Sequence, residues 1–238
     1  MDKILIVLII LNLLVIVFVI FIINKKGGIG YLKNRFALLK NISKQEGYSN
    51  WHYQARKNIF ESMPYQEDSI VFLGDSITEF CNWNEFFMQL NIKNRGISGD
   101  VIEGVFNRLD EIIAAKPQKI FLMIGTNDLG NRRSIHQITS DYEKLINILI
   151  TKMPETTLYL QSILPTKNSL NRDNNIIIAI NKEIEMLANK NSLIYINLFD
   201  TFKTANNQLN MSLSYDGLHL NGKGYLLWKD VIIEYVES

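Results

Sequence analysis

The 238 residues suffice for one good-sized domain and an appendage at roughly 100–200 residues per domain, which excludes two catalytic domains. Hydrophobic residues at 47% against 21% charged exclude a disordered chain, and a net charge of +1 argues against binding nucleic acid by bulk electrostatics. Cys81 stands alone, which excludes an intrachain disulfide, a Cys-x-x-Cys redox pair and a multi-thiolate zinc site.

The near-neutral total hides an asymmetry. Residues 1–45 carry seven Lys/Arg against one acid, and the remainder carries eighteen against twenty-three. Within the basic end, Ile4 to Ile23 is an apolar run of twenty residues interrupted by Asn12. At ~1.5 Å per residue it reaches the ~30 Å of a bilayer's hydrocarbon core. It closes on Phe21-Ile22-Ile23-Asn24-Lys25-Lys26 instead of small residues, favouring an uncleaved anchor over a signal peptide, and it has no polar face to suit a soluble core helix. The expected organisation is a membrane anchor at residues 1–24, a basic juxtamembrane linker at 25–47 and one folded domain at 48–238. The bases after the run (Lys25, Lys26, Lys33, Arg35, Lys40) outnumber Lys3 before it and lean the body toward the cytoplasmic face, a tendency that long domains often override. Tyr31, Leu32, Phe36, Leu38 and Leu39 read either as a short interfacial helix or as a solvated linker. Gly27, Gly28 and Gly30 follow no strand and so form no nucleotide fingerprint.

After a helix near Tyr48 to Met63, short apolar runs alternate with amphipathic stretches. Strands are predicted at Ser69–Leu73, Ile92–Arg95, Lys119–Ile124, Thr157–Gln161 and Leu193–Asn197. Helical spacing of apolar residues marks Val101–Ala115, Ser134–Lys152, Asn174–Asn189 and Gly222–Val236. This is an α/β domain with a five-stranded parallel sheet covered by helices on both faces.

In such sheets ligands bind beyond the carboxyl ends of the strands. There the chain places Gly74-Asp75-Ser76-Ile77-Thr78, Gly96-Ile97-Ser98-Gly99-Asp100 and Gly125-Thr126-Asn127-Asp128, with Tyr215-Asp216-Gly217-Leu218-His219 near its end. Each block alone is ordinary turn or capping composition. Together they bring a nucleophile, a base, a base-orienting carboxylate and oxyanion donors to one edge. Ser76 needs a base to act at neutral pH. His52 and His136 read as surface or packing residues, which leaves His219, with Asp216 three residues earlier to orient its ring. The backbone N–H groups of Ser76 and Gly99 and the side-chain amide of Asn127 are the candidate oxyanion donors. Asp75 and Asp128 read as turn-shaping residues, Cys81 as a buried small hydrophobe and Arg132-Arg133 as a solvated pair. Trp83, Phe86, Phe87 and Met88 read as the inward face of a helix, with an acyl pocket as the rival.

The succession Gly-Asp-Ser-Ile, Asn-Arg-Gly-Ile-Ser-Gly-Asp, Gly-Thr-Asn-Asp and Asp-Gly-Leu-His resembles the SGNH hydrolases, the GDSL-type lipases and esterases, over roughly residues 70–225. Within that family it is most similar to bacterial acetylhydrolases and lysophospholipase-like esterases. The resemblance implies a flavodoxin-like three-layer sandwich, with Ser76, Gly99, Asn127 and His219 at the four positions that name the family and Asp216 completing a triad. Ile77 replaces the leucine of the family name. The expected function is a membrane-anchored serine esterase removing a short acyl group from an O-acetylated glycan, a lysophospholipid or an acetyl lipid. Neither cofactor nor metal is required, and no nucleic-acid partner is expected. The alternatives are a tethered binding protein on the same scaffold and an acyltransferase using the same serine.

Overall fold

Apolar strands too hydrophobic to face water on either side, joined by amphipathic helices, can bury both strand faces only in a layered α/β arrangement. The computed structural model describes residues 3–30, 50–63, 67–88, 90–167 and 171–238, and divides into two units, residues 1–46 and 47–238. In the first unit, α1 (Lys3–Lys25) is helical and exposes large apolar side chains, among them Leu14, Val17, Phe18 and Phe21. Among the described residues no helix is long and apolar enough to cross a membrane. The transmembrane helix expected over residues 4–23 therefore lacks support there. The interfacial helix considered for residues 31–39 lies outside the described residues.

The second unit opens with α2 (Trp51–Glu61) and contains β1 (Ile70–Gly74), β2 (Ile92–Gly96), β3 (Lys119–Met123), β4 (Thr157–Gln161) and β5 (Ile194–Ile196). They form one parallel sheet in the order β2-β1-β3-β4-β5, the flavodoxin-like order expected. Alternate residues feed two cores. Val71, Leu73, Ile120 and Leu122 pack with α8 (Ile135–Lys152) and α9 (Asn174–Lys190). Ile70, Phe72, Phe121 and Tyr159 pack with the aromatic residues of α11 (Gly222–Glu237). Register places Phe72 beside Phe121 and Phe121 beside Tyr159, and the rings stack at 5.0 and 4.5 Å.

The helix predicted over 101–115 forms as two pieces, α5 (Ile102–Phe106) and α6 (Asp110–Ala115). Arg108 lies at the break and is 2% exposed. Its Nε donates to Asp100 Oδ2 at 2.8 Å, Nη1 to the Arg95 carbonyl at 2.8 Å and Nη2 to the Gly74 carbonyl at 3.0 Å. The ends of β1 and β2 and the loop after β2 are thus joined by one cation. Removing one member of a buried pair strands the other charge, so Arg108→Met should lower stability by about 3–5 kcal/mol. Urea unfolding checks this, and a loss below about 1 kcal/mol would contradict it.

Candidate active site

β1 ends at Gly74, and the buried Asp75 caps α3 (Ser76–Glu79) by accepting from the Ile77 N–H at 3.0 Å. A helix of four residues satisfies few of its own carbonyls, so neighbouring side chains do so. Tyr225 Oη donates to the Ile77 carbonyl at 2.8 Å, Trp83 Nε1 to Thr78 at 3.0 Å, and Asn94 Nδ2 reaches the Thr78, Glu79 and Cys81 carbonyls. These bonds fix the turn that presents Ser76.

His219 arrives from the loop before α11. Ser76 Oγ lies 3.0 Å from His219 Nε2, and His219 Nδ1 lies 2.6 Å from Asp216 Oδ2. The other carboxylate oxygen, Asp216 Oδ1, accepts from the Leu218 and His219 N–H groups at 2.9 and 2.8 Å. Ser214 Oγ ties the loop by donating to the His219 carbonyl and accepting from the Gly217 N–H. Partial burial works against the Asp216 charge, but the bonds from His219 and the two N–H groups outweigh it and hold its pKa at about 2. A carboxylate only accepts, so Nδ1 carries the imidazole proton and Nε2 is left to accept from the Ser76 hydroxyl. The structure therefore brings Ser76, His219 and Asp216 together in a relay.

The loop after β2 turns at Ile97–Asp100, where Asp100 N–H donates to the Ile97 carbonyl at 3.1 Å. Gly99 occupies the third turn position at φ +79°, a backbone state costly for other residues. Among the described residues, the N–H groups of Ser76 and Gly99 donate to no protein acceptor. Asn127, in α7 (Thr126–Gly130), donates from Nδ2 to the Asp100 carbonyl at 2.9 Å and so is tied to the Gly99 turn. Asp128 joins the same frame, accepting from the Ile102 N–H at 3.1 Å and from Arg133 Nη1 at 3.0 Å.

Other expectations are refined. Arg133 is not a solvated cation, since it bridges Asp128 and Asp141, whereas Arg132 is exposed. His136 is exposed, but His52 binds the Glu79 carboxylate at 3.1 Å, and Glu79 accepts from the Ser98 N–H in the Gly99 loop. Trp83 and Phe87 are core, while Met88 is 77% exposed and so belongs to no inward face. Cys81 is buried, and burial pushes its thiol up to about 12. Sequence reasoning missed Arg108, Glu79 and Arg172. An arginine at helical spacing from the apolar Val101, Val105 and Ile112 was a usable signal for Arg108; the other two make long-range contacts with no local pattern. Among the described residues no group of His, Cys, Asp and Glu is placed to hold a metal.

A parallel sheet with a Ser-His-Asp relay at its carboxyl edge defines a nucleophilic hydrolase class of site. The GDSL-like Lipase/Acylhydrolase family model matches residues 72–227, and the chain belongs to that family, whose class is carboxylic ester hydrolases. Platelet-activating factor acetylhydrolase IB subunit alpha1 of Homo sapiens is 25% identical over 170 residues, covering 67% of this chain and 71% of that protein. N-acylneuraminate cytidylyltransferase of Escherichia coli O18:K1:H7 is 27% identical over 205 residues, covering 83% of this chain. The chain spans only 47% of that relative's length. A Streptococcus pneumonia structure with a provisional platelet activating factor designation superposes at TM-score 0.73 with 27% identity, covering 86% of this chain and 99% of that one. A GDSL-like lipase of Bacteroides thetaiotaomicron shares the fold at TM-score 0.68 and 23% identity, covering 78% and 97%.

Burial, with the neighbouring Asp100 and Asp128 charges, raises the Asp75 pKa to about 7 against the Ile77 N–H and the Arg172 cation, which favour its charge. Between the ordinary carboxylate range and pH 7 the folded state then binds the proton more tightly than the unfolded chain, so stability falls as pH rises through that window. Asp75→Asn cannot ionise. Its thermal midpoint should drop less than that of the wild type between pH 5 and pH 8, and equal drops would contradict this.

Proposed function

We propose that this chain is a serine esterase that removes a short acyl group through an acyl-enzyme on Ser76, with its catalytic domain held at a membrane by residues 4–23. The observation that carries the chemistry is the relay Ser76 Oγ to His219 Nε2 at 3.0 Å and His219 Nδ1 to Asp216 Oδ2 at 2.6 Å. His219 takes the Ser76 proton as Oγ attacks the ester carbonyl and returns it to the departing alcohol. The charge that develops on the carbonyl oxygen is met by the N–H groups of Ser76 and Gly99 and by Asn127 Nδ2, three donors at the carboxyl edge of the sheet. Water, deprotonated by the same imidazole, then releases the acid and frees Ser76. Asp216, charged down to about pH 2, stabilises the imidazolium in both halves.

Two lines support a short acyl group on a lipid or glycan. Relatives matched over most of this chain carry the name acetylhydrolase. The apolar run of residues 4–23 and the exposed apolar side chains of α1 suit a membrane attachment that would keep the site near surface-borne esters. The basic flank from Lys25 to Lys40 favours the cytoplasmic side. Resistance of the chain to alkaline extraction from membranes tests the attachment, and release into the supernatant would contradict it.

The catalytic test is hydrolysis of aryl esters from acetate to long acyl chains by the full chain in detergent. Activity should peak at acetate. Ser76→Ala or His219→Ala should lower kcat by at least about 10³-fold, and Asp216→Ala by about 10²–10⁴-fold with little change in KM. A long-chain optimum would overturn the short-acyl assignment, and wild-type activity in Ser76→Ala would overturn the esterase.

A further inference from the structure

The oxyanion role of Asn127 raises a problem that the three catalytic side chains do not solve. A primary amide has one acceptor and two donor hydrogens, and rotation by half a turn would present its oxygen, a repulsive group, to the developing negative charge. Asn127 Nδ2 spends one hydrogen on the Asp100 carbonyl at 2.9 Å, a contact that alone only mildly restrains the amide. On the other side stands Arg172, whose Nη2 donates to Asn127 Oδ1 at 2.9 Å and whose Nε donates to the preceding carbonyl, that of Thr126, at 2.9 Å. Arginine has no acceptor, and a backbone carbonyl has no donor. With Arg172 on one side and Asp100 on the other, only one amide orientation satisfies both, and it leaves the second Nδ2 hydrogen for the substrate.

The surroundings hold Arg172 to this task. Its carbonyl accepts from Thr166 Oγ1 at 2.9 Å, and Asn174, two residues on, exchanges bonds with the Thr166 backbone at 2.8 and 2.7 Å, which anchors the entry to α9. The guanidinium lies flush on Gly130 at the end of α7, where an added Cβ would fall 2.6 Å from Nη2. Half-buried and charged, it also polarises the amide it binds, and a hydrogen bond to a charged donor is roughly twice as strong as a neutral one.

We infer that Arg172 is a positioning residue for the reaction: it locks the Asn127 amide with its donor end toward the oxyanion, without itself touching the substrate. The inference rests on the esterase reading above and extends it to a residue outside the four sequence blocks.

The test measures kcat and KM for 4-nitrophenyl acetate with the full chain in detergent. It compares wild type, Arg172→Ala, Arg172→Lys, Asn127→Ala and the double variant Arg172→Ala/Asn127→Ala. Arg172→Ala should lower kcat by about 10–100-fold with KM within about twofold, less than the loss of an oxyanion donor outright. Arg172→Lys, a point charge without the fork, should fall between that variant and the wild type. In the Asn127→Ala background the Arg172 substitution should cost no more than about twofold, because the residue it positions is gone. Multiplicative losses in the double variant, or a rise in KM at unchanged kcat, would overturn the inference. Where circular dichroism shows Arg172→Ala unfolded, Arg172→Lys with and without Asn127→Ala carries the same comparison. Full activity in Ser76→Ala would instead sink the esterase reading, a failure distinct from that of Arg172.

Discussion

Arg108 donates at once to the last carbonyl of β1, to a carbonyl of β2 and to Asp100 in the loop that follows. Those are the anchor points of the nucleophile turn and of the Gly99 turn. A parallel sheet fixes where its strands end but leaves the loops beyond them free, and loops that must hold hydrogen-bond donors to within a fraction of an ångström need internal ties. Here the tie is a charged group at 2% exposure, satisfied by one carboxylate and two carbonyls. Its desolvation is compensated only while all three acceptors stay in place, so the geometry of the two loops and the stability of the core are coupled.

From that centre the remaining contacts extend outward. Asp100 receives Arg108 through its side chain and gives its carbonyl to Asn127, whose amide is held from the far side by Arg172. Glu79, at the end of the nucleophile helix, receives the Ser98 N–H and is itself paired with His52 of α2. The His219 loop is held by Ser214 and Asp216 within six residues and by the Lys167 N–H, which donates to the Gly217 carbonyl at 2.8 Å. The site therefore combines one half built from three strand ends with a second that the turn before α11 delivers, tied at Gly217 to the segment after β4.

Much of this was legible in the residues. Doubly buried strands such as Ile70–Gly74 and Lys119–Met123 announce themselves as apolar runs, whereas β5, pairing on one side only, forms over Ile194–Ile196 and falls short of the five residues expected. Ser76, Gly99, Asn127, Asp216 and His219 could be named because each sits at a strand end or within a short spacing of its partner. The break at residues 107–109 was hidden, since helical periodicity of Val101, Val105, Leu109 and Ile112 continues across it, and the acceptors of Arg108 lie 8 to 34 residues away. Arg172 acts on Asn127 across 45 residues of chain, and nothing local to either marks the pair.

The central claim is that the Asp216-His219 pair makes Ser76 nucleophilic. It is tested most directly by reacting the full chain with a fluorophosphonate and mapping the adduct by mass spectrometry. Phosphorus is attacked by an activated serine and holds a tetrahedral centre with an oxygen in the oxyanion position, so the reagent reports both parts of the site. The account predicts one adduct per chain, on the peptide containing Ser76, and none in His219→Ala. An unlabelled wild-type chain, or an adduct on another residue, would contradict it.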